Sequence, residues 1–214
     1  YGERPRVLLE REDGSVETIA GLVKAGDCPP DVMRVRQDVP APALKGQSYL
    51  EQALTGDASD MRATLDGIAK RADIVIWCSQ EFSGMERRLW SAMPDRIKDH
   101  SFLVLTKADL LVRSGMLGQH IDHLAPIAAD EFLGLYPVAT LQGIAARPPI
   151  DDQTPEEWVA SGGSHLVAAL RKQIRQGRSA DLDRAQIFLS RVGALVPEAP
   201  VNENEAPRAQ DERP

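Results

Sequence analysis

Cysteine is scarce: the 214 residues hold only Cys28 and Cys78. One falls in a turn and the other in an expected buried strand. Both read as free thiols in a reducing compartment, not as a disulfide framework. Long apolar runs are missing as well. No stretch is long enough to span a bilayer as a helix, and none has the layout of a secretory signal. Positive charge is in deficit, with 25 Lys and Arg against 32 Asp and Glu, a net charge of −7 and a pI near 5.2. A nucleic-acid partner needs a basic footprint and is not expected on that balance. No internal repeat is visible. These absences leave a cytoplasmic chain with room for one real core and a tail.

What is present is an alternation of short apolar runs with helical patterns. Residues 72–78 (Ala-Asp-Ile-Val-Ile-Trp-Cys) form a nearly continuous apolar run, β-branched in the middle, which reads as a strand buried on both faces. Residues 101–105 and 135–139 read as two more strands. Helical spacing covers 58–70 through Met61, Leu65 and Ile68, and 85–93 around Leu89. A further helix runs through Leu117, Ile121, Leu124 and Phe132, with Pro126 expected to kink or split it. The expected fold is α/β, a mostly parallel sheet with flanking helices. Residues 4–10 and 15–19 flank Glu12-Asp13-Gly14 and read as an N-terminal hairpin. Ser161-Gly162-Gly163-Ser164 reads as the cap of a helix carrying Leu166, Leu170 and Ile174. A separate helix is expected over 181–196, through Leu182, Leu189, Val192 and Val196. Residues 147–155 read as a Pro- and Asp-rich loop. Residues 197–214 hold almost nothing apolar and read as a disordered tail.

Thr106-Lys107-Ala108-Asp109 stands at the end of the second of these strands, where parallel sheets bind their ligands. A carboxylate there can accept hydrogen bonds from the N1–H and N2 amine of guanine, donors that adenine does not offer. The Lys stem can cover the face of a base. The plain alternative for Asp109 is a residue that merely starts a helix. Val138-Ala139-Thr140-Leu141 follows the third strand in the same way.

The chain resembles the dynamin-like and related large bacterial GTPases. The residues that carry the resemblance are Tyr1-Gly2-Glu3-Arg4-Pro5-Arg6-Val7, the strand 33–39 followed by Pro40-Ala41-Pro42-Ala43-Leu44, the run 72–78, Thr106 to Asp109, and Val138 to Leu141. The resemblance covers roughly residues 1–175 and implies a P-loop GTPase-like domain over 1–176, then a helix (177–196) and the tail. It implies GTP or GDP as ligand. Asp109 would select guanine, Lys107 would support the base, and Thr106 would hold the loop. Ala139 would give a backbone donor to O6, with Thr140 beside it. It also implies Mg²⁺, self-assembly and contact with a membrane surface, which would make the chain peripheral there.

Two departures matter. No G-x-x-x-x-G-K-[ST] occurs, the loop that wraps phosphates in backbone N–H groups. The chain begins at Tyr1 where the family is past that loop, so an absent upstream segment is expected. After an expected strand at 47–50, the family's D-x-P-G position reads Glu51-Gln52-Ala53-Leu54-Thr55-Gly56. Glu51 would reach Mg²⁺ through water, and Gly56 is the nearest stand-in for the γ-phosphate-sensing Gly. Slow hydrolysis is therefore expected. The alternatives are a degenerate G-domain scaffold that hydrolyses nothing and an α/β interaction domain without nucleotide.

Other residues have both plain and functional readings. His120, Asp122 and His123 could hold a metal, or be surface residues, and no third strong ligand accompanies them. Ser79-Gln80-Glu81 is a solvated loop or a part of the pocket. Arg171, Lys172, Arg175 and Arg178 form a solvated helix face or meet acidic lipid. Trp77 and Trp90 read as core ahead of a stacking platform.

Overall fold

Residues 6–38 make an antiparallel sheet because the turn chemistry and the alternation agree. Strand β1 (Arg6–Arg11) is followed by Gly14 at φ +81, where an L side chain is strained, and by β2 (Val16–Ala20). Strand β3 (Val32–Asp38) pairs on the other side of β1, giving the order β2-β1-β3. Val7 and Leu9 are buried, and they share a face with Ile19 and Val35 through the register Val7↔Ile19 and Leu9↔Val35. The computed structural model describes residues 1–146 and 156–193, and the expected loop at 147–155 and tail at 197–214 lie outside them. The chain divides into two compact units, Tyr1–Thr55 and a second that begins at Gly56.

The opposite face of the first sheet is locked by Asp38. Its carboxylate is 5% exposed and accepts from Arg6 Nε at 2.5 Å and Arg36 Nε at 3.3 Å. The Arg6 hydrogen bond holds Asp38 below the ordinary carboxylate range, against a smaller opposing push from burial. A depressed folded-state value stabilises above the ordinary value, near 3.8, and the effect is lost as pH falls through the folded value. Asp38→Asn should therefore unfold at lower denaturant than the parent at pH 7, and the gap should narrow steadily as pH falls below the ordinary value near 3.8. A gap that persists or widens in acid would show that Asp38 does not act through its charge.

The second unit is α/β with a parallel sheet. Helix α1 (Ala58–Ala69) opens on a capping box in which Asp57 accepts from the Ser59 and Asp60 N–H groups and Asp60 returns a bond to the Asp57 N–H. Strand β4 (Val75–Ser79), helices α2 (Gly84–Ser91) and α3 (Asp95–Lys98), and β5 (Ser101–Thr106) follow. Then come α4 (Ala108–Arg113), α5 (Leu117–Glu131), β6 (Leu135–Val138), α6 (Thr140–Ala145), α7 (Glu156–Ala160) and α8 (Gly163–Gly193). The strand order β4-β5-β6 is parallel throughout, and helices carry both crossovers. Central β5 is buried from Ser101 to Leu105, as its unbroken apolar run requires. Trp77, Phe82, Trp90 and Phe132 interlock beside it, Trp90 stacking on Phe132 with centroids 4.5 Å apart. Both tryptophans named from the sequence are thus core.

Four local readings are corrected. Strand β4 starts at Val75 and is not buried on both faces: it is an edge strand, and Cys78 is exposed. Residues 47–50 make no strand. The chain there follows a 3₁₀ turn at Pro42–Leu44, Gln47 bonds back to Leu44 and Ala43, and no sheet edge receives the segment. Pro126 does not split α5, which runs unbroken from Leu117 to Glu131 with Pro126 on its exposed side. The two helices expected on either side of Gly177 are one continuous α8. A solvent-facing Gly lowers helix stability by only about 1 kcal/mol and does not force a break. Val196 lies outside the described residues.

Candidate functional site

Thr106 leaves the sheet half-buried, and its Oγ1 donates to the Ser79 carbonyl at 3.2 Å, tying the carboxyl ends of β5 and β4 together. The chain then turns through Lys107 at φ 54, ψ 36, the left-handed region. Among the described residues only Lys107 and Phe82 are non-glycine residues with positive φ. The conformation costs about 1–2 kcal/mol, so packing must hold it. Here the anchor is Ala108, 5% exposed, directly after the turn. The result is a sharp corner with Lys107 outside and Asp109 in the first turn of α4.

The Asp109 side chain is 26% exposed and lies 3.5 Å from Arg113, itself 72% exposed. An exposed i,i+4 pair of this kind is worth about 0.3–0.5 kcal/mol, too little to sequester the carboxylate from a better partner. The corner therefore offers a ready acceptor and a cationic stem within three residues.

The register pairs Thr106 with Val138, so the 106–109 corner and the segment after β6 leave neighbouring strand ends. Ala139 is buried and its N–H donates to the Ser161 carbonyl at 2.9 Å. That bond corrects the role expected of Ala139, because its donor is already engaged. Thr140 is exposed and begins α6, where the first N–H has no intrahelical acceptor.

Ser161 and the glycines after it were legible only as a helix cap. In the structure they form a close-packed knot. Gly162 has φ +79, and a Cβ there would fall 2.1 Å from the Pro137 carbonyl oxygen. A Cβ on Gly163 would fall 2.4 Å from the Trp158 ring. Ser161 is 2% exposed, and its hydroxyl donates to the Trp158 carbonyl and accepts from the Gly163 N–H. The turn into α8 is thereby pressed against the end of β6.

At the end of β4 the Ser79 hydroxyl accepts from the Glu81 and Phe82 N–H groups and shapes the loop. Glu86 completes a capping box with Ser83 and accepts from Trp77 Nε1 at 3.2 Å. Burial pushes the Glu86 carboxyl up, but hydrogen bonds from Ser83, Ser79 and Trp77 outweigh it and hold the group below its ordinary value. Cys78, Ser79, Gln80, Glu81, Ser83 and Glu86 line an open hollow of about 410 Å³. Of Ser79-Gln80-Glu81, the Ser79 hydroxyl is occupied with the turn. Phe82 and Glu86 were missed in the sequence, although Ser83-x-x-Glu86 is a capping-box signature.

The residues expected at Mg²⁺ and the switch, Glu51 and Gly56, fall in the first and the second unit respectively. Glu51 is exposed, in a stretch without regular structure, within the first unit. Gly56, at φ +85, begins the second unit and packs on Asp60 at the entry to α1. Among the described residues no group of three or more His, Cys, Asp or Glu could hold a metal ion. His120 Nδ1 sits 3.1 Å from the Met116 carbonyl, and His123 Nε2 sits 3.3 Å from Arg87. Arg171, Lys172, Arg175 and Arg178 are exposed on α8. Among the described residues no helix is long and apolar enough to cross a membrane. The chain matches no family model, no curated protein and no solved structure.

Proposed function

We propose that this chain is the base-reading part of a GTP-binding domain similar to that of dynamin-like GTPases. The observation that supports the reading is the Thr106–Asp109 corner itself. It joins a left-handed Lys107 to an accessible Asp109 at the carboxyl end of a central parallel strand, beside the loop that presents Thr140. In this reading Asp109 accepts from guanine N1–H and N2, the Lys107 stem lies over the base, and Thr106 holds the corner through Ser79. Thr140 donates to O6. The resemblance further implies self-assembly or an acidic membrane surface. On this chain α8 would serve, with exposed Leu182, Phe188 and Leu189 beside its arginines.

The phosphates are another matter. No G-x-x-x-x-G-K-[ST] is present, and backbone N–H groups with a Lys supply the charge-matched contacts in such loops. Calorimetric titration of this chain with GTP should therefore show no low-micromolar affinity. Competition by ATP should be weaker than by GDP at equal concentration, because adenine lacks the donors that Asp109 accepts. Equal competition would contradict the reading.

A second reading, a degenerate G-domain scaffold that binds partners and hydrolyses nothing, is favoured by Gly56. A Cβ there would meet Asp60 Oδ2 at 2.5 Å, so this glycine is needed to enter α1. Phosphate release by the chain at saturating GTP should not exceed the buffer background.

A further inference from the structure

We propose that the exposed end of α8 is a self-pairing surface, on which two copies of this chain associate through antiparallel α8 helices. The first half of α8 packs on β6 and α7, and Val167, Leu170 and Ile174 are half-buried there. From Arg175 to Val192 every residue is exposed, about 27 Å of helix at 1.5 Å per residue. The apolar stripe does not stop where the packing stops. By the 3.6-residue period Val167 and Ile174 share a face with Ala185 and Val192, and Leu182, Phe188 and Leu189 widen it. Leu182, Phe188 and Leu189 are 70%, 64% and 67% exposed. A helix ordinarily gains most of its stability by packing such a face, and this stretch has the face without the packing.

The stripe fits a second copy of itself. Leu182, Ala185, Leu189 and Val192 are spaced three, four and three apart, the seam of a two-stranded coil, and the spacing reads alike in both directions. In an antiparallel pair Leu182 meets Val192 of the partner subunit and Ala185 meets Leu189 of the partner subunit, so a small side chain faces a large one. A parallel pair would set Ala185 against its own copy and leave a void. It would also set Arg178, the preceding seam position, against a second Arg178. Gln186 and Phe188 border the seam and bring no like charges together. The contact is isologous, the same patch on both copies. Acidic lipid is a poorer occupant, because Asp181 borders the stripe and, with Asp183, offsets most of the charge of Arg178, Arg184 and Arg191. Residues 194–214 are a poorer one as well, since Leu195, Val196 and Val201 are their only large apolar side chains.

The test needs no nucleotide, so this pairing and the base-reading role stand or fall separately. Sedimentation velocity of the full chain should show a monomer–dimer equilibrium with a midpoint at about 10–100 µM, as expected of a contact smaller than roughly 1,200 Å². Leu189→Asp sets a carboxylate in the seam and should stay monomeric to about 500 µM. Because Leu189 is 67% exposed, the denaturant midpoint of that variant at low concentration should match the parent's. Leu182→Lys and Val192→Glu should each weaken pairing more than about tenfold, and mixing the two should restore it, since the introduced ammonium and carboxylate meet only in the antiparallel register. A parent that stays monomeric to about 500 µM overturns the inference. So does a dimer that survives Leu189→Asp, which would place the contact elsewhere, and so does a mixture that fails to restore pairing. Vesicles of phosphatidylserine and phosphatidylcholine test the lipid alternative. A parent that is monomeric in solution, cosediments with them and loses this in Leu189→Asp would overturn the pairing in favour of a membrane surface.

Discussion

Asp109→Asn should exchange the base preference of this chain. The carboxylate accepts from two guanine donors, N1–H and N2, and both bonds are charge-assisted. Their loss should cost about 2–4 kcal/mol, or roughly 30- to 1000-fold in affinity for GTP. Xanthosine triphosphate carries a carbonyl where guanine carries the amine. A carboxylate repels that carbonyl, whereas the Asn amide can donate to it, so the variant should bind the xanthine nucleotide better than the parent does. Stability should hardly change. The Asp109–Arg113 pair is an exposed i,i+4 contact at 3.5 Å. Its loss, with the loss of a carboxylate from the first turn of α4, amounts to about 1 kcal/mol at most. Nucleotide titration and denaturant unfolding on the same samples separate the two effects. A variant that binds GTP as the parent does would remove Asp109 from the site. A variant that loses GTP only because it is unfolded would show it in the second measurement.

The largest expected effect on stability is that of Gly162→Ala. Two penalties add there. A left-handed φ of +79 costs an L-residue about 1–2 kcal/mol. The new Cβ would also sit 2.1 Å from the Pro137 carbonyl oxygen, a backbone atom that cannot rotate aside. Either the β6 end or the turn into α8 must move, and the sum should reach about 3–5 kcal/mol. Gly115→Ala is the control within the same unit. Gly115 has φ +69 but nothing within 4 Å of the added Cβ, so only the conformational penalty applies. Chemical denaturation of the two variants should give a much lower midpoint for Gly162→Ala. Equal midpoints would mean that the close approach at Pro137 relaxes freely and that the knot has no structural force.

These two positions differ in how far the sequence reveals them. The Thr106–Asp109 corner was legible because its signal is local: five buried residues of β5 announce a central strand, and the tetrapeptide directly follows it. Strand β6 and helices α1 and α2 were legible for the same reason, since periodicity and capping residues lie within one window. The knot was not legible. Ser161-Gly162-Gly163 looks like any flexible cap until Pro137, more than twenty residues earlier, is seen pressed against it. The engagement of the Ala139 N–H by Ser161 is hidden likewise, because no pattern in a sequence records which distant carbonyl takes an amide. Strand β4 was read as fully buried because its composition resembles that of β5. Position in a sheet, edge or centre, is decided by strand order, and an apolar run does not encode it. The stretch 47–50 failed in the opposite direction: it has strand composition but no neighbouring edge to pair with. The continuity of α8 through Gly177 was missed because a glycine is weighted as punctuation, while its cost on an exposed helix face is small.

The most direct test of the base-reading site is amide shift mapping of the full chain with GTP and, separately, with ATP. With GTP the largest shifts should fall on residues 106–109 and 139–141, the two loops that leave neighbouring strand ends. With ATP at the same concentration they should be markedly smaller. Equal shifts with the two nucleotides, or GTP shifts confined to the Cys78–Glu86 hollow, would contradict the assignment of Thr106 to Asp109 as a guanine site.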